Sequence, residues 1–388
     1  MSQKKYLFIS RKSSHYRYYE KLVKYLGKKA ELRAVKTYVF PRLKYWREAK
    51  KLGVKSLADV HIKRKAVRHP LLSYFPGLLW LMRQLIVLRE HCRVTYYLSF
   101  FRDTNYETLV LWNGMKQPNK TPYEVAKYCG LKTMLFENGL LPNTTVLDPK
   151  GVNAFNSMPR EADFYKSINI DSLSMEKKLE VRAAHKDRKI QKQTVELPER
   201  YIFVPFQVPN DTQIVCHSHW VASMEEFYDK LELALNYLVR QSQWRPFKFV
   251  VKEHPSWPRT FKTLHNKNKN IVFANEHNTQ ALIENAIAVM TINSTVGVEG
   301  LLLGKKVITL GDSFINVPGI VWQVNNQTLL NQVLSRIESE ELDPYLVNRF
   351  LTFLKDDYLI PGAWQKVTKD SVSHFMAVEN RLELSYQP

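Results

Sequence analysis

The chain has 388 residues, 45% of them hydrophobic, and it carries a formal net charge of +20. This length predicts two domains with sizeable cores. The three cysteines are scattered without CxxC spacing, which excludes a disulfide framework and a cysteine-rich zinc site and predicts reduced thiols in the cytoplasm. The excess of cations predicts an anionic partner: a phosphate-bearing substrate, an acidic membrane surface or a nucleic acid.

The first residues predict a strand–helix–strand unit followed by a basic insertion. Strand Tyr6–Ser10 leads to a helix over 16–26, and strand Leu32–Tyr38 follows. Residues 41–69 are then helix-prone and rich in Lys and Arg. This composition predicts either a solvated helix face or a contact with an anionic inner-membrane surface.

Leu71–Leu88 is the only stretch of the sequence that resembles a membrane span. Pro76, Gly77 and Arg83 interrupt it, and it lacks the roughly 20 apolar residues that a span needs. We therefore expect a buried or partly interfacial helix. The opening MSQKKYLFIS has too short an apolar run for a signal peptide. We therefore expect a cytoplasmic protein, either free or in peripheral contact with the inner membrane.

Polar residues follow five later strands of the predicted fold. These strands are predicted at 109–112, 133–136, 201–206, 247–251 and 289–292, alternating with helices. The carboxyl ends of parallel strands line the ligand crevice of an open sheet, so the polar residues there are candidate site residues. They are Asn113, Gly114, Glu137, Asn138, Gly139, Gln207, Asp211, Lys252, Glu253, His254, Asn293, Ser294, Thr295 and Gly297.

Each candidate has a structural alternative beside its chemical one. Ser294 and Thr295 open a helix, which suits a bound phosphate or an ordinary helix cap. His254 could donate to a phosphate or to a leaving group, or it could bond a nearby carbonyl. Asp211 lies in a turn, where local hydrogen bonding is common. Glu137 could serve as a general acid/base or cap a neighbouring helix.

The alternation of strands and helices in both halves predicts two doubly wound α/β domains. The N-terminal domain is placed at 1–190, with its basic helical insertion at about 41–95. A second domain is placed at 200–355 and a C-terminal helix at 356–388, with a charged connection over 174–199. Within the first domain, Thr121-Pro122-Tyr123-Glu124 has the form of a capping box that starts a helix.

The polar segments together resemble the bacterial capsule-polysaccharide synthesis family, whose characterised members are retaining β-Kdo glycosyltransferases (Kdo is 3-deoxy-D-manno-oct-2-ulosonic acid). Each motif is weak singly, and the ordered set is fairly specific. The motifs run from about residue 109 to 320, and they are LWNG (Leu111–Gly114), FENGLLPNTTVLDPKGVN (Phe136–Asn153), VPFQVPNDTQIVCHS (Val204–Ser218), VKEHP (Val251–Pro255) and INSTVGVEGLLLGKKVITLGDSFINVPGI (Ile292–Ile320).

The resemblance implies a GT-B fold, with two Rossmann-like domains facing a cleft and a final helix that crosses back to the N-terminal domain. It implies CMP-β-Kdo as the donor, bound by the C-terminal domain, and no further cofactor. It also implies a double displacement with Asp211 as nucleophile and Glu137 as acid/base. His254 and Asn293–Thr295 would hold the CMP phosphate, and Gln207 would orient the sugar or the nucleophile.

No metal site is predicted. The spacing of His217 and His219 lacks an adjacent third ligand, and the sequence has no DxD motif, since Asp356-Asp357 is a surface-like pair. GT-B transferases generally work without a bound divalent metal, which agrees with this expectation.

Three alternatives remain open at this point. The chain could be a transferase for another nucleotide sugar, because a phosphate site reveals neither base nor sugar. It could instead be a non-catalytic capsule export or assembly component at the inner membrane. Nucleic-acid binding is not favoured, because no RNP, KH, helix-turn-helix or zinc-finger pattern accompanies the positive charge. The expected acceptor is a glycan or a lipid-linked glycan.

Overall fold

The computed structural model describes residues 5–169, 177–179 and 195–384. The predicted connection over 174–199 lies mostly outside these residues, and so does the predicted domain boundary at 190. The chain divides into two compact units, the first comprising Met1–Ser157 with Tyr358–Pro388 and the second Met158–Asp357. Residues 158–169, which the sequence analysis placed in the N-terminal domain, thus lie in the second unit.

Strands and helices alternate along most of the described chain. The strands are β1 (Tyr6–Ser10), β2 (Ala30–Ala34), β3 (Thr108–Trp112), β4 (Lys132–Asn138), β5 (Thr144–Asp148), β6 (Tyr201–Pro205), β7 (Lys248–Lys252), β8 (Ile271–Phe273), β9 (Ala288–Thr291), β10 (Lys306–Thr309), β11 (Trp322–Gln323) and β12 (Ile360–Pro361). The α-helices are α1 (Ser13–Leu26), α2 (Trp46–Ala49), α3 (Val54–Arg68), α4 (Pro76–Arg102), α5 (Lys120–Tyr128), α6 (Ala162–Lys166), α7 (Thr212–His217), α8 (Met224–Leu238), α9 (Thr279–Glu284), α10 (Val296–Leu302), α11 (Gln327–Ser335), α12 (Pro344–Phe353) and α13 (Val372–Leu384).

The first unit contains a six-stranded sheet in the order β12-β5-β4-β3-β1-β2. Strands β4, β3, β1 and β2 are parallel, whereas β5 pairs antiparallel with β4, and β12 antiparallel with β5. The C-terminal segment therefore returns to this unit, and Phe375, Val378 and Leu382 of α13 are buried in a core that includes Tyr6 and Phe8 of β1. The predicted return of the last helix to the N-terminal domain is confirmed.

The second unit contains an all-parallel sheet in the order β11-β10-β9-β6-β7-β8. Counted from β6, the strand order is that of a Rossmann fold. Strands β6, β7 and β8 form one half of the sheet, and β9, β10 and β11 form the other half. The prediction of two Rossmann-like α/β domains is confirmed. The order reverses between β6 and β9, and ligands of open α/β sheets bind at such a switch point.

Several element boundaries differ from the predicted ones. Helix α1 begins at Ser13, and β2 ends at Ala34, four residues before the predicted end. The predicted capping box at Thr121 is wrong, because α5 begins at Lys120 and Thr121 is buried inside it. The Thr121 hydroxyl donates to Glu90 Oε2 (2.5 Å), so a buried tertiary partner replaces the helix end as its acceptor.

Helix α4 has two different halves. Its C-terminal half is buried, with Arg93 Nη1 donating to Glu90 Oε2 (2.6 Å) and Arg93 Nε to the Lys36 carbonyl (2.9 Å). Its N-terminal half is largely exposed, so Leu71–Leu88 is not buried over most of its length, and the alternative expectation of a partly interfacial helix stays a prediction. Among the described helices, none combines the length and the apolar character that crossing a membrane requires.

Candidate functional site

In the first unit, the ends of β3 and β4 bring Asn113 and Glu137 together. Asn113 and Gly114 both adopt positive φ, at 65° and 67°, which turns the chain sharply after β3. Asn113 Nδ2 donates to Glu137 Oε2 (2.6 Å), and the Asn138 backbone N–H donates to Glu137 Oε1 (3.0 Å). The half-buried Glu137 carboxylate is therefore oriented through both of its oxygens.

The neighbouring candidates Asn138 and Gly139 shape the edge of this region. Asn138 Oδ1 accepts from Trp364 Nε1 (2.9 Å), which anchors the returning C-terminal segment at the end of β4. A Cβ at Gly139 would overlap Thr144, so glycine is required for the tight connection between β4 and β5. These contacts give both residues a structural role, and substrate binding by them stays a prediction.

An aromatic cluster beside Asn113 is missing from the sequence-based candidates. His15 stacks on Trp112 with ring centroids 3.9 Å apart, and Trp364 lies 4.6 Å from Trp112. Burial, with Lys12 and Lys116 as further causes, lowers the pKa of His15 to about 4, so its imidazole is neutral at pH 7. The same strand-end argument could have found His15, which follows β1. Trp364 gives no such signal, because it arrives from the far end of the chain.

In the second unit, Asp211 follows β6 and is the N-cap of α7. Its Oδ1 accepts from the Gln213 backbone N–H (3.0 Å) and lies 3.4 Å from the Thr212 hydroxyl. Within the part of the chain that the structure describes, the hydrogen bonds to this carboxylate use Oδ1 rather than Oδ2. The side chain is half-exposed, so Asp211 combines a fixed position with an oxygen that can meet a substrate.

A buried pair of amides crosses the switch point between β6 and β9. Gln207 Nε2 donates to Asn293 Oδ1 (2.9 Å), and the Asn293 backbone N–H donates back to Gln207 Oε1 (3.1 Å). Asn293 Nδ2 also donates to the carbonyls of Gln213 (2.9 Å) and His217 (3.2 Å) in α7. Through Asn293, the pair fixes the helix that Asp211 caps. Orientation of the sugar or the nucleophile by Gln207 stays a prediction.

The residues predicted to bind phosphate make mainly capping and packing contacts within the protein. The Ser294 hydroxyl accepts from the Val296 backbone N–H (3.2 Å), whereas the Thr295 side chain makes no cap hydrogen bond. A Cβ at Gly297 would lie 2.6 Å from Ile315 Cδ1, which indicates close packing of α10 as the reason for that glycine. Phosphate binding by these residues stays a prediction.

The cluster after β7 is mostly engaged within the protein. Lys252 Nζ donates to the carbonyls of Asn275 (3.0 Å) and His277. Glu253 is buried, and its Oε1 accepts from the Phe261 backbone N–H (2.8 Å) and contacts His265 Nε2 (3.0 Å). These two side chains fix the loops that follow β7 and β8.

His254 differs from these two neighbours, because it is half-exposed. Its Nδ1 accepts from the Ser256 backbone N–H (3.2 Å). A neutral ring with an accepting Nδ1 carries its proton on Nε2, which is then a hydrogen-bond donor.

The described residues contain no cluster of three or more His, Cys, Asp or Glu side chains that could hold a metal ion. Of the two histidines considered for a metal, His217 is buried and His219 Nε2 lies 3.0 Å from Asp312 Oδ2. In the second unit, the structure brings together Gln207, Asp211 and Asn293 at the switch point, and in the first unit Asn113, Glu137 and Asn138.

Comparison with known proteins finds a similarity to one family over residues 166–342 of the chain. Residues 166–342 match the family model described as capsule polysaccharide biosynthesis protein. The predicted resemblance to the bacterial capsule-polysaccharide synthesis family is confirmed. The matched region includes Gln207, Asp211, His254 and Asn293, whereas Glu137 lies before it.

Two curated relatives are similar to large parts of the chain. Protein FixF of Sinorhizobium fredii is 39% identical over 257 residues, which are 66% of this chain and 61% of FixF, so the chain spans less than two thirds of that relative. The capsule polysaccharide export protein KpsS of Escherichia coli is 23% identical over 309 residues, covering 61% of this chain and 78% of KpsS.

Among solved structures, the chain is similar in backbone structure to Thermosulfurimonas dismutans KpsC, beta Kdo 2,7 transferase. It is 13% identical with a TM-score of 0.46, and the match covers 97% of this chain and 99% of that one. A likeness this distant does not carry an argument about function.

Proposed function

We propose that this chain is a glycosyltransferase that moves Kdo from CMP-β-Kdo to a glycan or glycolipid acceptor in the synthesis of a bacterial surface polysaccharide, with retention of configuration. The observation that carries the proposal is Asp211. It lies at the switch point of an all-parallel sheet, it is half-exposed, and a cap and a buried amide pair fix its helix. A carboxylate in this position has the placement that a nucleophile needs.

The proposed reaction has two displacements. In the first, the Asp211 carboxylate attacks the anomeric carbon of Kdo, the bond from that carbon to the phosphate oxygen breaks, and CMP leaves. In the second, an acceptor hydroxyl attacks the same carbon, its proton passes to the Glu137 carboxylate, and the bond to Asp211 breaks. Two inversions give overall retention, and the aspartate is regenerated.

Glu137 suits the role of acid/base because its carboxylate is already oriented by Asn113 and by the Asn138 backbone. The proton that Glu137 takes from the acceptor is returned to solvent before the next turnover. Since the two carboxylates belong to different units, each role is tested by its own variant.

His254 is the proposed partner of the CMP phosphate. A half-exposed imidazole can donate a hydrogen bond to an anionic oxygen, and Ser294 lies at the start of α10 as a second candidate. We assign no step to Lys252 and Glu253, because their polar groups bond loops of the protein itself. No metal ion or further cofactor is required by this scheme.

A non-catalytic role in capsule export is the second candidate. It is favoured by the similarity of the chain to KpsS, a capsule polysaccharide export protein. Such a role would need no nucleophile, so Asp211 would then serve only as the cap of α7.

A donor screen separates these candidates. Purified protein is incubated with CMP-Kdo, CMP-sialic acid, UDP-sugars or GDP-sugars, and release of the free nucleotide is measured with and without glycan acceptors. Among these donors, we expect CMP-Kdo to be the one from which the nucleotide is released. This release should be lost in Asp211→Asn. Release from another donor would overturn the assignment to Kdo, and release from none would favour the export role.

A further inference from the structure

The exposed half of α4 carries a stripe of leucines. Leu78, Leu81, Leu85 and Leu88 are spaced by three, four and three residues, which places them on one face of the helix. All four are between 46% and 58% exposed. We call these residues the apolar stripe. Contiguous apolar surface of this kind is rare on a protein that stays alone in water, so it marks a contact surface.

Aromatic side chains extend the stripe at the start of the helix. Tyr74 and Phe75 precede α4 directly, and Trp80 lies in its first turns; all three are at least 60% exposed. Tyrosine and tryptophan combine an apolar body with a polar group, and they are enriched where protein meets the headgroup region of a bilayer.

The surroundings of the stripe are predominantly cationic. From residue 60 to residue 89 the sequence contains six Lys and Arg residues, two His and no Asp or Glu. Lys63 and Arg68 are exposed on α3, which packs against α4. Arg83 donates to both carboxylate oxygens of Asp59 (2.6 and 3.2 Å), so the two helices are joined into one hairpin that presents apolar and cationic residues together.

The charge decides between two possible occupants of this surface. A second copy of the chain would bring the same excess of cations, and the like charges would repel. An anionic bilayer offers acyl chains for the leucines and aromatics and phosphates for the lysines and arginines.

We propose that the apolar stripe and the cations beside it dock this chain on an anionic lipid bilayer, with the first turns of α4 lying in the plane of the interface. The sequence alone indicated the basic segment 41–69 as a membrane contact. For residues 71–88 the sequence left a buried and a partly interfacial helix open, and the structure shows that the leucines of this stretch are exposed. The inference does not depend on the proposed transferase activity, since binding is measured without donor or acceptor.

Vesicle sedimentation of the full chain tests the proposal. We expect the protein to sediment with vesicles of phosphatidylglycerol and phosphatidylcholine, and to remain in solution with phosphatidylcholine alone. Binding should weaken as salt is added, because the cationic contacts are screened within a Debye length of about 10 Å at 0.1 M ionic strength.

Two matched pairs of variants locate the contact. Leu81→Gln should reduce partitioning about tenfold, whereas Leu233→Gln on α8 should not, although both leucines are 49% exposed. Lys63→Gln should reduce partitioning about fivefold, and Lys369→Gln, an exposed lysine elsewhere in the first unit, should leave it unchanged. Circular dichroism confirms that each variant is folded.

Light scattering in the absence of vesicles completes the test. We expect wild type and Leu81→Gln to have the same mass in solution. A wild-type dimer that Leu81→Gln converts to a monomer would overturn the proposal in favour of self-association. Equal vesicle binding by Leu81→Gln and wild type, or no binding to anionic vesicles, would overturn it as well.

Discussion

Two acidic residues end neighbouring strands of the second sheet, and they have opposite surroundings. Asp211 follows β6, is half-exposed, and uses Oδ1 to cap α7. Glu253 follows β7, is 1% exposed, and bonds Phe261 and His265 in the loop beyond it. The sequence makes both of them candidate site residues, because each is an acid at a strand end.

Position at a strand end is therefore not enough to identify a site residue. A buried acid bonded by its own loop stabilises the fold, since removing a partner from a buried charge leaves an uncompensated group. A half-exposed acid such as Asp211, whose described hydrogen bonds use only one of its two carboxylate oxygens, can react with a substrate through the other oxygen. We therefore expect the Asp211 region to control turnover and the Glu253 region to control stability.

The largest expected effect is on turnover in Asp211→Asn. Loss of the nucleophile should lower the rate of transfer by on the order of 10⁴-fold. The fold should be retained, because Asn caps a helix about as well as Asp, with a change in stability below about 0.5 kcal/mol. Transfer assays and thermal unfolding measure the two effects.

Asp343→Asn is the matched control for this variant. Asp343 caps α12 in the same unit, accepting from the backbone of Tyr345 and Leu346 (2.9 and 3.1 Å), and lies away from the strand ends. Transfer should be unchanged in this variant. Equal activity in Asp211→Asn and Asp343→Asn would reduce Asp211 to a helix cap.

Glu137→Gln should lower transfer to the acceptor by about 10²-fold or more, because the acceptor proton loses its base. Asn113 can still donate to the glutamine oxygen, and only the bond from the exposed Asn138 backbone N–H is lost, so the unfolding temperature should change little. Glu124→Gln, which changes a half-buried glutamate on α5 of the same unit, should leave transfer intact. Unchanged turnover in Glu137→Gln would remove Glu137 from the mechanism.

Asn293→Ala should affect both turnover and stability. It removes the amide that bonds Gln207 and two carbonyls of α7, at a cost of about 1–3 kcal/mol. Looser placement of Asp211 should then lower kcat about tenfold with a smaller change in KM. A changed KM with an unchanged kcat would indicate a direct substrate contact, contrary to the positioning role.

Glu253→Gln should have the smallest effect on turnover and a clear effect on stability. The substitution removes a buried charge that bonds His265, and unfolding should become easier by about 1–3 kcal/mol. Transfer measured below the unfolding temperature should equal that of wild type. Glu276→Gln, at a half-exposed position in the same unit, should change neither quantity. A folded Glu253→Gln protein without activity would break the contrast with Asp211.

The sequence predicts the repeated strand–helix pattern because alternation of apolar runs is a local property. It also predicts that Asn113, Glu137, Gln207 and Asn293 lie at strand ends. Whether such a residue faces its own loop or solvent depends on chain that returns from elsewhere. Glu253, for example, is buried because residues Phe261–His265 fold back over it.

Two further differences have the same non-local origin. Strand β12 joins the first sheet by pairing Ile360 with Thr145, a contact across more than two hundred residues that no local pattern indicates. The leucines of α4 have the composition of a buried helix, and no local pattern indicates that Leu78, Leu81, Leu85 and Leu88 are exposed.

The most direct test of the central claim is to trap the glycosyl–enzyme intermediate. Glu137→Gln is incubated with CMP-Kdo and acceptor, and its intact mass and peptides are measured by mass spectrometry. We predict an adduct of one Kdo residue on Asp211. The adduct should be absent in the double variant that carries both Glu137→Gln and Asp211→Asn. Transfer without any adduct, or an adduct on another residue, would contradict a double displacement through Asp211.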